Sequence, residues 1–124
     1  PPSPADMGIG RVADKAQLAA AARAVRGVTL SAPVTDYVVR LVRATRDSAD
    51  IATGASPRAG VLLAGAARAR AAIEGRDYVL PDDVMARATA VLRHRLVLSP
   101  LADFEGKQIE SLVSELVERT EAPR

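Results

Sequence analysis

The chain has 124 residues, 48% hydrophobic but only 2% aromatic, with no Trp, no Cys and a formal net charge of +2. That length holds one domain with a modest core, and the missing Cys excludes a disulfide scaffold and thiolate metal sites and fits a reducing compartment, so a cytoplasmic location is expected. An aliphatic, Ala-rich composition predicts packed helices, and a small net charge with arginines interleaved among acids makes nucleic acid an unlikely partner.

No run approaches the eighteen or so apolar residues of a spanning helix, and the amino end lacks the charged-then-apolar order of a signal peptide. Membrane insertion is therefore not expected. Pro1 to Arg11 holds three prolines and two glycines without apolar periodicity, so residues 1–13 read as a linker or the cut end of a longer chain. From Asp14, a capping residue, Leu18, Ala21, Ala22 and Val25 recur at helical spacing until Gly27. This first helix is short and depends on packing. Val28-Thr29-Leu30 is a brief β-prone run, expected as an extended connector or one rung of a minimal pairing with Tyr78 to Leu80.

The second helix has the clearest period, with Val34, Tyr37, Val38, Leu41, Val42 and Thr45 at steps of three and four on one core face. Ser31 offers its cap, Pro33 suits its first turn, and Arg40, Arg43 and Arg46 ride the flanks. Asp47 to Ala55 then reads as a loop. It delivers the chain to Ser56-Pro57-Arg58, where Ser56 is expected to cap and Pro57 to occupy the first helical turn, its missing N–H costing nothing there.

Arg58 is the unusual residue. At the second helical position it lies in the partial positive charge of the amino end, which favours an anion by about 0.3–1 kcal/mol. It is either a solvated arginine of small cost or a cation placed there for an anion outside the domain. A helix amino end with a guanidinium fork suits phosphate.

The third helix is expected from Pro57 to about Glu74 as the central helix, with Leu62, Ala66, Ala69 and Ile73 on its core stripe, Val61 and Leu63 beside it, and Gly75 ending it. Arg76 to Leu80 is an extended step. Pro81-Asp82-Asp83 opens a fourth helix that buries Val84, Ala88, Val91 and Leu92 and frays near Arg93-His94-Arg95. Leu96 to Leu98 is a further apolar run, stopped by Ser99-Pro100, where an ordinary helix is not expected. Ile109, Leu112, Val113, Leu116 and Val117 mark a last amphipathic helix covering the bundle.

Catalytic constellations are missing from the sequence. It contains no Gly-rich phosphate loop and no Gly-x-Ser-x-Gly elbow. His94, the single histidine, sits between two arginines at a helix end and reads as structural or solvated. Asp82 and Asp83 read as first-turn helix acids rather than a catalytic pair. Tyr37 and Tyr78 are too few for a base-stacking platform and are expected at the core edge.

Thr45-Arg46, Gly54-Ala55-Ser56-Pro57-Arg58-Ala59, Gly75-Arg76-Asp77-Tyr78-Val79, Pro81-Asp82-Asp83-Val84 and His94-Arg95-Leu96 occur in an order that resembles the carboxyl-terminal lid of MoxR-type AAA+ ATPases, from about Val28 to Leu98. Phe104-Glu105-Gly106 and the apolar helix after it are similar to that family's ending. The resemblance implies an all-α bundle of four to five helices with at most one minimal short-strand pairing. It divides the chain into a linker at 1–13 from a missing ATPase core, a lid at 14–98 and a carboxyl-terminal extension with a covering helix at 99–124.

It further implies that Arg58 is the sensor 2 arginine reaching the γ-phosphate of ATP, with Ser56 and Pro57 beside it. ATP and magnesium belong to the full-length parent only, an ATPase with chaperone-like activity. This chain by itself is not expected to hydrolyse ATP. The implied partners are the parent's own core, the neighbouring subunits of a hexameric ring, and proteins with von Willebrand factor A domains. Where that family often has Thr, this chain has Leu80, which predicts a looser start to the fourth helix. The alternative is a free-standing helical module that binds a protein or a nucleic acid through its arginine-bearing faces.

Overall fold

The computed structural model describes residues 5–123. Its helices are α1 (Lys15–Gly27), α2 (Ala32–Asp47), α3 (Pro57–Ile73), α4 (Pro81–Leu92), the five-residue α5 (Pro100–Phe104) and α6 (Ile109–Arg119). Two short strands, β1 (Ile51–Thr53) and β2 (Val97–Leu98), accompany them. The fold is thus the expected helical bundle with minimal strand pairing. No helix is long and apolar enough to cross a membrane.

Helix starts follow the capping residues. Asp14 and Gln17 form a reciprocal capping box on α1, and the Ser31 hydroxyl accepts the Val34 N–H of α2. The α2 stripe is buried as its spacing requires: Val34, Tyr37, Val38, Leu41, Val42 and Thr45 all face the core. Tyr37 lies deeper than the core edge expected for it. It is wholly inaccessible, its hydroxyl has no hydrogen-bond partner among the described residues, and burial pushes its pKa up.

α3 is the central helix and packs against α1, α2 and α4. Its buried face is Ala59, Gly60, Leu63, Ala67 and Ala71, not the expected stripe of Leu62, Ala66, Ala69 and Ile73. Leu62 is 40% exposed and Ile73 86%. The helix is small or apolar on almost every side, so periodicity does not single out a face. The small residues decide it, because they let the neighbouring helices approach while larger aliphatics would hold them apart.

α1 carries no buried residue, so its Leu18 stripe remains open to solvent. The chain between α1 and α2 does form the expected rung: Thr29 accepts the Val79 N–H and gives its own N–H to Asp77, a single parallel bridge opposite Tyr78. A second pairing was not legible. Inside the segment read as a loop, β1 pairs antiparallel with β2, Ile51 opposite Leu98 and Thr53 opposite Val97 with an irregular step between.

Of three junctions, two differ in detail from expectation and the turn at Gly75 follows it. Pro100 begins a short helix instead of forbidding one, because at N1 its missing N–H is not needed, and the Ser99 hydroxyl accepts the Ala102 N–H. Gly75 turns the chain out of α3 at φ 75°. The start of α4 is tied rather than loose: the Asp83 carboxylate accepts the Leu80 N–H at 2.8 Å and both guanidinium nitrogens of Arg76 at 2.7 and 2.8 Å, while the Arg70 Nε lies 3.2 Å away. Asp83 is buried, and its hydrogen bonds with Arg76 hold its carboxyl below the usual carboxylate range against the opposing effect of burial.

The core runs without a break from α2, α3 and α4 into α6, whose Leu112, Val113 and Val117 are buried against it. α6 covers the bundle as its amphipathic pattern requires.

Candidate functional site

The amino end of α3 is built from the last turn of α2. Thr45 is the one small polar side chain on that helix's buried stripe. It donates to the Val42 carbonyl at 2.7 Å and accepts the Ala55 N–H at 2.9 Å. From the next residue, the Arg46 Nε donates to the Ala55 carbonyl at 2.7 Å. Both polar backbone groups of a buried residue are thereby paired, as a buried peptide requires.

Gly54 lets this happen. A Cβ at that position would stand 2.6 Å from the Arg46 Cγ and 2.8 Å from its Cα, so only Gly permits the turn to lie against α2. Three residues beyond Gly54, at Pro57, the chain enters α3.

Ser56 occupies the N-cap position in extended conformation, but its hydroxyl makes no capping hydrogen bond, contrary to expectation. The first-turn N–H of Ala59 bonds the Ser56 backbone carbonyl instead, at 2.9 Å. Pro57 is at N1, and Ser56, Pro57 and Arg58 are all exposed. Arg58 has no hydrogen-bond or ion-pair partner among the described residues. A hydroxyl not engaged in capping and an unneutralised guanidinium thus stand together on the positive end of a seventeen-residue helix. This arrangement can take an anion from outside, and its rigid mount fixes where that anion must come.

The other sequence candidates separate. Asp83 is committed to Arg76, Arg70 and the Leu80 N–H, and a carboxyl held low is the reverse of a general acid. Asp82, its neighbour, is exposed. His94 lies exposed in a single 3-10 turn, Arg93–Arg95. Among the described residues no three His, Asp or Glu side chains gather to hold a metal ion. Sequence reasoning overlooked the clamp on Ala55, although a Thr on an otherwise apolar stripe was the available signal.

Residues 43–116 match the AAA lid domain family. The chain is 39% identical over 101 residues to the uncharacterized protein YeaC of Bacillus subtilis, covering 82% of this chain and 32% of that protein. It is 46% identical over 87 residues to chaperone MoxR1 of Mycobacterium tuberculosis, covering 61% of this chain and 23% of that protein. Among solved structures, a Cytophaga hutchinsonii protein assigned as an ATPase superposes with a TM-score of 0.77 at 30% identity, over 82% of this chain and 34% of that one. The chain spans about a third or less of the length of these relatives.

Proposed function

Because this chain belongs to the AAA lid domain family, as a lid of the MoxR type, we propose that it is the nucleotide-sensing part of a ring-forming ATPase, with Arg58 as its sensor 2 residue. One observation carries the reading. Arg58 is an exposed cation without a partner among the described residues at the amino end of α3, which a clamp on the buried Ala55 holds in place. Nothing within the domain repays its position against the helix dipole, so the compensating negative charge is external.

ATP, when bound at the core, supplies the phosphoryl group whose spread negative charge such a cation stabilises during transfer. Ser56 and Arg58 suit a phosphate oxygen. Among the described residues nothing comparable suits magnesium, and in this reading its ligands and the phosphate loop belong to the core. In this reading the Arg58 guanidinium meets the γ-phosphate when the lid closes, and the Ser56 hydroxyl donates a hydrogen bond beside it.

Residues 1–13 join the ATPase core, residues 14–98 make up the lid proper, and the carboxyl-terminal extension supplies α6 as its cover. The parent works in the cytoplasm as a hexameric, chaperone-like ring on proteins carrying von Willebrand factor A domains. The relative named a chaperone supports the chaperone-like part alone. ATP hydrolysis by the longer protein with Arg58 replaced by Ala tests the central claim, and normal turnover in a folded variant would sink it.

A further inference from the structure

Between α2 and α3 runs an open trough of about 470 Å³. Its floor and walls are aliphatic, with Val39 and Val42 from α2 and Val61 and Ala64 from α3. Val39 is 47% exposed and Val61 72%. Such side chains would be expected at a covered surface.

The charges around the trough all have one sign. Arg43, Arg46 and Arg68 line it, and no carboxylate does. Elsewhere on the same helices Arg40 is paired with Asp36 and Arg70 with Glu74 and Asp83, while Arg58 is unpaired like those at the trough. The three at the trough have no ion-pair partner among the described residues, and the Arg68 Nε is buried without any hydrogen-bond partner. A buried N–H in that state favours the arrival of an acceptor.

We propose that this trough is the docking site for an amphipathic helical segment of a partner protein, one that lays an apolar stripe between α2 and α3 and presents carboxylates to Arg43 and Arg68. Two walls of aliphatic side chains on adjacent helices suit anchors at i, i+3, i+4 and i+7. Charge complementarity then fixes the sign of the flanks.

Other occupants fit less well. Nucleic acid is disfavoured because the lining offers no aromatic ring for a base to stack on and exposes apolar surface to a polyanion. A second copy of this chain offers no acidic segment: α6 has its apolar stripe already buried, α5 is five residues long, too short for that spacing, and α1, whose apolar stripe is open, carries arginines and no carboxylate. Arg58 does not line the trough, although Pro57 and the clamp residue Arg46 do, so the trough adjoins the candidate phosphate site.

The test is a titration of the 124-residue chain with a synthetic helical peptide of about 18 residues, five turns, carrying a Leu stripe flanked by Glu, followed by amide chemical shifts. Saturable binding is expected, with shifts centred on Val39 and Val61. A counterpart with Lys in place of Glu should bind at least about tenfold more weakly, and so should the original peptide at an ionic strength of about 1 M. Val61→Asp, at an exposed helical site, should retain the melting profile and lose about tenfold in affinity, and Arg68→Gln should weaken the acidic peptide alone. The proposal fails if the two peptides bind equally, if the shifts map elsewhere, if Val61→Asp binds normally, if no binding saturates, or if a single-stranded oligonucleotide or self-association of the chain accounts for the trough. It fails equally if the longer ring-forming protein no longer admits the acidic peptide, since its own domains then fill the site.

Discussion

The carbonyl of Ala55 accepts the Nε–H of Arg46 at 2.7 Å, and through that bond the last turn of one helix sets where the next begins. The contact is possible only because Gly54 brings the chain against the Arg46 backbone. An added Cβ would meet the Arg46 Cα at 2.8 Å and its N at 2.9 Å, atoms fixed within α2 that cannot swing aside. Gly54→Ala is therefore expected to destabilise the chain by roughly 1–3 kcal/mol, the range for overpacking a tight site. Gly65→Ala, in the middle of α3 with nothing within 4 Å of the added carbon, is expected to stabilise by about 0.5–1 kcal/mol. Urea unfolding of the two variants checks both signs, and a neutral Gly54→Ala would mean that the turn yields.

The Arg76 and Asp83 pair gives a pH dependence with a definite sign. Hydrogen bonds from Arg76 hold the carboxyls of Asp83 and Glu74 below their ordinary range, while Arg76 itself is pushed further up and stays charged. A depressed carboxyl contributes stability that is complete above its unfolded pKa, about 3.9 for Asp, and that fades as the pH falls through the folded value. Asp83→Asn should cost about 3 kcal/mol at neutral pH, the low end for breaking a buried pair, because the Arg76 side chain remains 19% accessible. Below about pH 4 the gap between wild type and variant should narrow. A gap that is constant from pH 7 to pH 3 in denaturant melts would show that the carboxylate charge is not what holds α4.

Leu62 and Leu63 are adjacent, one 40% exposed and the other wholly buried. Leu63→Ala is expected to cost about 2–5 kcal/mol through lost burial and the cavity left behind. Leu62→Ala should cost under about 1 kcal/mol, as an outward position does. Equal losses in the midpoint of denaturation would place both on one packed face.

That pair also shows where the sequence was readable. α2 has large apolar residues on one side and arginines on the other, so its spacing alone identifies the buried face correctly to the residue. α3 has Ala and Gly inside and Leu62, Val61 and Ile73 outside, so size misleads. Small residues are chosen there for close approach, a property of the neighbours that no single helix displays. The β1–β2 pairing was hidden for a related reason, since Ile51 and Leu98 are 47 positions apart and each strand is too short to declare itself. At the candidate site Pro57 and Arg58 were legible because they obey or break local helix rules. The clamp of Thr45 and Arg46 on Ala55 was not, because it is tertiary, and the hydroxyl cap expected of Ser56 is not made.

Arg58 bears the functional claim, and the structure sharpens how it is to be tested in the longer protein. The side chain is exposed and unpaired, so Arg58→Ala should leave folding unchanged, and removing a cation from the amino end of α3 even favours the helix slightly. If the guanidinium meets a transferring phosphoryl group, turnover should fall roughly tenfold to a thousandfold, the range for losing one preorganised donor. Arg58→Lys should recover only part of this, because a point charge does not reproduce the planar fork. Ser56→Ala provides a milder comparison: its hydroxyl makes no capping bond, so stability should hold while turnover drops less than with Arg58→Ala. The control is Arg87→Ala, an exposed arginine on α4 remote in sequence from this helix end, which should leave turnover intact. ATP hydrolysis by the folded ring, with melting curves for each variant, separates the cases. Slow turnover with a lowered melting temperature would trace the loss to the fold, whereas slow turnover with an unchanged one leaves the phosphate contact as its cause.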